Sequence, residues 1–303
     1  MNQQSRINQA GVALAVLLWF IAAMSLLVSG ILYQVKNDIK ISQWELQKAQ
    51  AEALGDGASN LALAQLSDGE AEDIGRLVVV ESELEGSHII TELISISGLL
   101  DINSLSKDGL ISLFVHGASL EEAQAEQLAA NVLDWRSYNQ LRRPEVESAY
   151  RGSTGKLARF GRFEAPEDLL QVLGVTRDIY EKLSATIYAG EKDVNNVNLA
   201  FAPFSVLMVL AQGDEALAVE WDSQRELFQS GNRPPELTGF VTGNQVIPVY
   251  RSSSFVKMAD GQWMKRVRWA DIGAKGRDYL PWRIVRTEKV VKVKSSKYLE
   301  IRQ

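Results

Sequence analysis

The chain has 303 residues, of which 46% are hydrophobic, with a formal charge of −6 and no cysteine. That length and apolar content leave room for two modest folded domains beyond an anchor and argue against general disorder. The missing cysteines exclude disulfide scaffolds, thiol nucleophiles and zinc–thiolate sites.

Val12 to Leu32 carry no charge, and their only polar side chains are Ser25 and Ser29. At about 1.5 Å per residue such a helix crosses a hydrocarbon core of about 30 Å. The ten-residue leader before Gly11 carries Arg6 and the α-amino group, whereas Lys36, Asp38 and Lys40 nearly cancel on the far side. The positive-inside rule therefore puts the N-terminus in the cytoplasm. Three processing outcomes fit the segment: a cut at its front edge beside Gly11, no cut at all, or a secretory cut behind Val28-Ser29-Gly30.

From Tyr33 to Leu66 the composition favours helix, with Val35, Ile39, Trp44, Leu46, Ala51, Leu54, Ala58, Leu61 and Leu66 near helical spacing and a break expected at Gly55 and Gly57. Arg76–Leu84 and Ser87–Ile96 are β-rich runs joined by Glu85-Gly86, a predicted hairpin. Residues 101–215 read as helical, with Asn103 and Ser104 as caps for Leu105–Phe114 and Ser119 with Glu122 as a capping box before a helix reaching Trp135. Trp135 and Leu133 are expected in a core, with Asp134 and Arg136 paired locally. Strands return at Gln245–Val256, Trp263–Trp269 and Trp282–Val293.

Residues 251–303 contain fourteen Lys or Arg and five Asp or Glu, a balance of +9, which leaves −15 for residues 1–250. The partial Val/Lys alternation after Arg283 fits a half-exposed strand, with a functional basic patch as the other reading. This order describes an α+β chain: a long N-terminal helix packed on an antiparallel sheet, with a large inserted all-helical domain.

Catalytic chemistry finds little support. His88 and His116 have no ligand spacing around them, and neither a Gly-x-Ser-x-Gly elbow nor a phosphate-binding loop occurs. Glu145 and Glu147 read as a solvated pair rather than an acid/base couple. Leu173-Gly174-Val175-Thr176 has one of the two glycines a helix-hairpin-helix needs, amid many carboxylates, so nucleic-acid binding is not expected.

Gly11 set directly against the apolar run resembles the signal of type IV pilins and pseudopilins, which prepilin peptidase cuts after the glycine on the cytoplasmic side. Cleavage between Gly11 and Val12 would leave 292 of the 303 residues, with a methylated N-terminus expected. Most members have glutamate at the fifth mature residue, where it neutralises a neighbour's amine; here that residue is Val16. The absence of glutamate, the size of the chain, and the ordered pieces Asp101-Ile-Asn-Ser-Leu-Ser, Ala130-Asn-Val-Leu-Asp-Trp-Arg136, Phe163-Glu-Ala-Pro-Glu-Asp-Leu-Leu and Val197-Asn-Leu-Ala-Phe-Ala-Pro203 are similar to the K-type minor pseudopilins of type II secretion systems.

The resemblance runs from about residue 10 to about residue 290 and implies a prepilin leader at 1–11, a transmembrane helix at 12–32, a pilin-like helix and first strands at 33–100, the helical insertion at 101–215 and the remaining strands at 216–303. It implies a single-pass inner-membrane protein with its bulk in the periplasm. The expected partners are prepilin peptidase, the I-type and J-type minor pseudopilins, and further out secreted substrates and the outer-membrane channel. In the membrane, Ala13, Ala15, Ala22, Ala23, Ser25 and Gly30 are expected close-approach positions for neighbouring helices. K-type relatives resemble calcium binders with an acidic loop after Asp-Trp-Arg; most of the matching carboxylates are absent here, and the resemblance leaves calcium open only through Asp134, Asn139, Glu145 and Glu147. Two rivals share the anchor: a minor pilin of a type IV pilus or competence system, and a signal-anchored periplasmic enzyme or binding protein.

Overall fold

The computed structural model describes residues 4–67, 78–137, 148, 150–152, 159–229, 237–274 and 280–293. The chain divides into two compact units, Met1–Ala53 and Leu54–Gln303. Helix α1, Gln4–Ser67, supplies residues to both. It runs without interruption through Gly55 and Gly57, so the expected break does not occur. Gly55 instead marks a close approach: a Cβ there would lie 2.6 Å from Cβ of Arg266 and 3.7 Å from Cβ of Ser254.

In the second unit an antiparallel sheet takes the order β1-β2-β5-β6-β7, with β8 also paired to β6. The strands are β1 Val78–Leu84, β2 Ser87–Ser95, β5 Val249–Lys257, β6 Trp263–Asp271, β7 Arg283–Thr287 and β8 Val291–Val293. The predicted hairpin joins β1 to β2, and Glu85 and Gly86 both take positive φ (50° and 73°), as the tightest two-residue turn requires. The final β-rich stretch divides into β7 and β8, both laid along β6.

Alternation along the strands sorts side chains onto two faces. On one face Leu93, Tyr250, Ala270 and Trp282 pack against Ala62, Leu63 and Leu66 of α1. Full burial of a leucine such as Leu63 contributes about 1.5–3 kcal/mol. On the other face Ile94, Val249, Val267 and Trp269 join a larger core built from the segment between β2 and β5. That segment contains α2 Lys107–Ser112, a π-helical turn Leu113–Gly117, α3 Glu122–Arg136, α4 Arg177–Leu183, α5 Phe204–Leu210, α6 Glu215–Ser223 and α7 Arg225–Gln229. Among the described residues its two named strands are a parallel pair, β3 Leu100–Asp101 with β4 Ile187–Tyr188, and irregular stretches join the helices. Its core is continuous with the sheet face, so the insertion and the sheet fold around shared apolar side chains rather than as separate bodies.

Several local readings change. Ser106, not Asn103 or Ser104, caps α2, its hydroxyl accepting from Gly109 N–H at 3.1 Å. Ser119 takes φ 57° and lies before α3, whose cap is Glu121 with no side-chain bond, so the expected capping box is absent. His116 lies within the π-helical turn, and burial lowers its pKa.

Candidate membrane and assembly surface

None of the most apolar 18-residue stretch of α1 is buried. Val12 is 65% exposed and Val16 52% exposed, so an apolar surface is presented along the predicted span with no cover from this chain. Ala13, Ala15, Ala22 and Ser25 are exposed and Ala23 half-buried, and a Cβ on Gly30 would meet nothing within 4 Å. At about 100° per residue, Ala15, Ala22 and Ser29 form one line, and Val16, Ala23 and Gly30 the adjacent line. Ala13 stands on the opposite side of the helix. The structure therefore brings most of the predicted close-approach residues onto one half of α1 and leaves Ala13 away from them.

Three of the four ordered pieces of the insertion meet at one place. Asp101 is 2% exposed, and its carboxylate accepts from Asn103 N–H at 2.9 Å and from Val194 N–H at 3.2 Å. Burial raises its pKa, and the two N–H donors and Arg162 counter that only in part. Asn103 closes a reciprocal pair with Phe163: its side-chain amide donates to the Phe163 carbonyl at 3.0 Å and its carbonyl accepts from Phe163 N–H at 2.9 Å. Ser104 donates to the Val194 carbonyl at 2.9 Å. Trp135, 2% exposed, stacks on Phe163 with ring centroids 6.2 Å apart and leans on Tyr150 at 5.8 Å. Arg136 donates to the Ile102 carbonyl at 2.7 Å and to the Leu105 carbonyl. These residues are joints between segments far apart in sequence, and their work is structural.

A second joint ties the insertion to the sheet. Ser97 accepts Ile247 N–H on its hydroxyl and Asn198 N–H on its carbonyl, both at 2.8 Å. Gly98 lies flat against the Asn-Leu-Ala-Phe turn, where a Cβ would come within 2.1 Å of the Phe201 carbonyl oxygen. Arg251, 6% exposed on β5, donates to the carbonyls of Ser184 and Ala185 at 2.8 and 2.9 Å.

Of the residues weighed for calcium, Asp134 is half-buried at the end of α3, and Asn139, Glu145 and Glu147 lie outside the described residues. Among the described residues no group of three or more His, Asp or Glu side chains is placed to hold a metal ion. Gly174, with φ 87°, turns the chain into α4, whose cap is Thr176.

The arrangement matches a solved structure. A chain of the crystal structure of the GspK-GspI-GspJ complex from the type 2 secretion system of enterotoxigenic Escherichia coli aligns with a TM-score of 0.55 and 13% sequence identity, covering 84% of this chain and 99% of that one. This chain has a pseudopilin fold. No protein-family model and no curated protein matches the sequence, so the likeness is one of architecture. Within this fold the Ala62–Leu66 stretch of α1 packs on one face of the sheet, and the segment between β2 and β5 packs on the other. The sequence reading missed Asp56, which receives two hydrogen bonds from Arg266, and Arg251; the alternation of Arg266 and Arg268 with apolar residues on β6 was the available signal for the first.

Proposed function

We propose that this chain is a K-type minor pseudopilin of a type II secretion system, processed between Gly11 and Val12 and standing at the tip of the periplasmic pseudopilus. The observation that carries the reading is the joint occurrence of an uncovered apolar helix and a pseudopilin fold whose helical addition holds all four of the ordered sequence pieces. The role is mechanical rather than chemical. The half of α1 bearing Ala15, Ala22, Ala23, Ser25 and Gly30 admits close van der Waals approach by the helices of I-type and J-type partners, which is how helices associate in lipid. Val16 at the fifth mature position suits a subunit with no amine above it, since an unpaired glutamate in that setting is costly. The helical addition then caps the filament, within reach of exported proteins and the outer-membrane channel.

The test is the intact mass and N-terminal sequence of the protein from membranes of cells with and without prepilin peptidase, joined to secretion assays in a deletion strain. A peptidase-dependent start at Val12 and loss of secretion with intact twitching and transformation are expected. Loss of twitching or transformation instead would assign the chain to a type IV pilus or competence system, and an uncut Met1 would remove it from the pilin class.

A further inference from the structure

From the end of the predicted span onward, α1 carries a second regularity that its own chain leaves unused. At alternating steps of three and four residues, Leu32, Val35, Ile39, Ser42, Leu46, Ala49 and Ala53 fall on one stripe, the a and d rows of a heptad lettered a to g. The period of 3.5 keeps the stripe on one side of the helix, with a drift of about 20° per heptad. Every member is exposed, and Leu32, Val35, Ile39 and Leu46 are 55%, 47%, 50% and 60% exposed. The buried side of this stretch lies elsewhere. Ala51 is 1% exposed, with Gln47 and Lys48 half-buried; at about 100° per residue Ala51 stands about 140° round from Leu46 and about 160° from Ala49 and Ala53. Ser25 and Val28 continue the two rows back into the span.

The two flanks of the stripe differ. The g row holds Asp38, Glu45 and Glu52, and the e row holds Lys36, Gln43 and Gln50. Between residues 33 and 53 three lysines match three carboxylates, so the selectivity lies in position and not in net charge. Asp38 and Glu45 are exposed, and neither forms an ion pair among the described residues. Lys40 stands about 160° round from Asp38, and the half-buried Lys48 about 60° from Glu45. In a parallel pair of helices each g residue faces the e residue of the partner's next heptad. A second copy in register would set Gln43 and Gln50 opposite Asp38 and Glu45 and leave both carboxylates without a cation. A different chain with Lys or Arg at those places pairs them. Lipid is no cover for this stretch, because Lys36, Asp38, Lys40 and Glu45 would have to enter it.

We propose that residues 32–53 dock, in parallel, a helix of a different chain that carries apolar residues at the same heptad spacing and Lys or Arg at its e positions. The parallel sense rests on the pseudopilin reading, in which partners are anchored alike; the docking is read without peptidase or secretion, so either can fail alone. It is tested with the full chain in phosphatidylcholine nanodiscs and a fluorescein-labelled three-heptad peptide with Ile at a, Leu at d, Gln at g and Lys at e, read by anisotropy beside the same peptide with Glu at e. The lysine peptide is expected to bind at least about tenfold more tightly, an advantage that shrinks as salt rises. Asp38→Lys with Glu45→Lys, both at exposed positions, should reverse the preference. Because the chain has no cysteine, Val35→Cys and Ala49→Cys report the sense of docking: a peptide with Cys at its first d position should form a disulfide at 35 and not at 49. Undetectable binding, equal binding of the two peptides, an unreversed preference in the double variant, or a disulfide at 49 or at neither position would each overturn the proposal.

Discussion

Asp56→Ala removes the carboxylate that holds α1 to β6, and its cost follows from the geometry. Arg266 donates to Asp56 through Nε at 2.8 Å and Nη2 at 3.1 Å, and Arg268 Nε lies 3.6 Å away. The arginine side chains are 12% and 11% exposed and the aspartate 36%. A hydrogen bond to a charged group contributes about 1.5–3 kcal/mol, and solvent at the aspartate side favours the low end. Arg266 keeps the Glu288 carbonyl, and Arg268 keeps the Asp56 carbonyl and Asn60, so neither guanidinium is stranded. The loss is therefore about 2–3 kcal/mol, below the cost of stripping a fully buried pair. Asp56→Asn, which retains one acceptor oxygen, should lose about half as much. Urea unfolding of the full chain in detergent, followed by tryptophan fluorescence, measures it, and a double-mutant cycle with Arg266→Ala should return a coupling of about 1–2 kcal/mol. A destabilisation under about 0.5 kcal/mol, or a coupling near zero, would refute the assignment of this pair as the fastening between helix and sheet.

Three further outcomes are expected. Gly98→Ala forces a Cβ against the Phe201–Ala202 backbone and should cost at least about 2 kcal/mol by urea unfolding, since overpacking against main chain has no rotamer to relieve it. Asp101 has a folded pKa above its ordinary 3.8 because of burial, so the folded state holds its proton more tightly than the unfolded state, and the stability this group contributes is present below about pH 3.8 and lost as pH rises through the folded value; the stability of wild type minus that of Asp101→Asn, measured across mildly acidic pH, should fall as pH rises, and a constant or rising difference would contradict it. Val16→Glu places a carboxylate within the predicted span at a cost of up to about 3 kcal/mol and should reduce export of a secreted reporter; normal export would remove the argument for a tip position while leaving the pseudopilin fold untouched.

The elements legible in the sequence were those with strong periodicity. The apolar run from Val12 and the helical spacing to Leu66 made α1 visible, and Glu85-Gly86 between β-rich runs made the hairpin visible. Errors arose where a residue's partner was distant in the chain. Asn103 and Ser104 have the chemistry of caps, yet their bonds go to Phe163 and Val194, and no local pattern encodes a partner sixty or ninety residues away. Gly55 reads as a breaker because glycine weakens a helix; it is retained because Arg266 occupies the space a side chain would need. The register of β7 against β6 slips between Trp269 and Ala270, which composition does not record.

The second unit also offers a continuous mechanical path. Within Leu54–Ser67, α1 is fastened to β6 by Asp56 and Asn60 and by the packing of Ala62, Leu63 and Leu66. Successive residues of β6 face opposite ways, so the strand that holds α1 through Arg266, Arg268 and Ala270 holds the insertion through Val267 and Trp269. Neighbouring β5 adds Arg251, whose guanidinium is bonded to the carbonyls of the two residues that follow α4. Ser97 and Gly98 close the remaining corner against the Asn198–Ala202 turn. Close-packed interiors transmit strain rather than absorb it. A displacement imposed on this stretch of α1 therefore reaches the insertion through one strand's thickness of packed side chains.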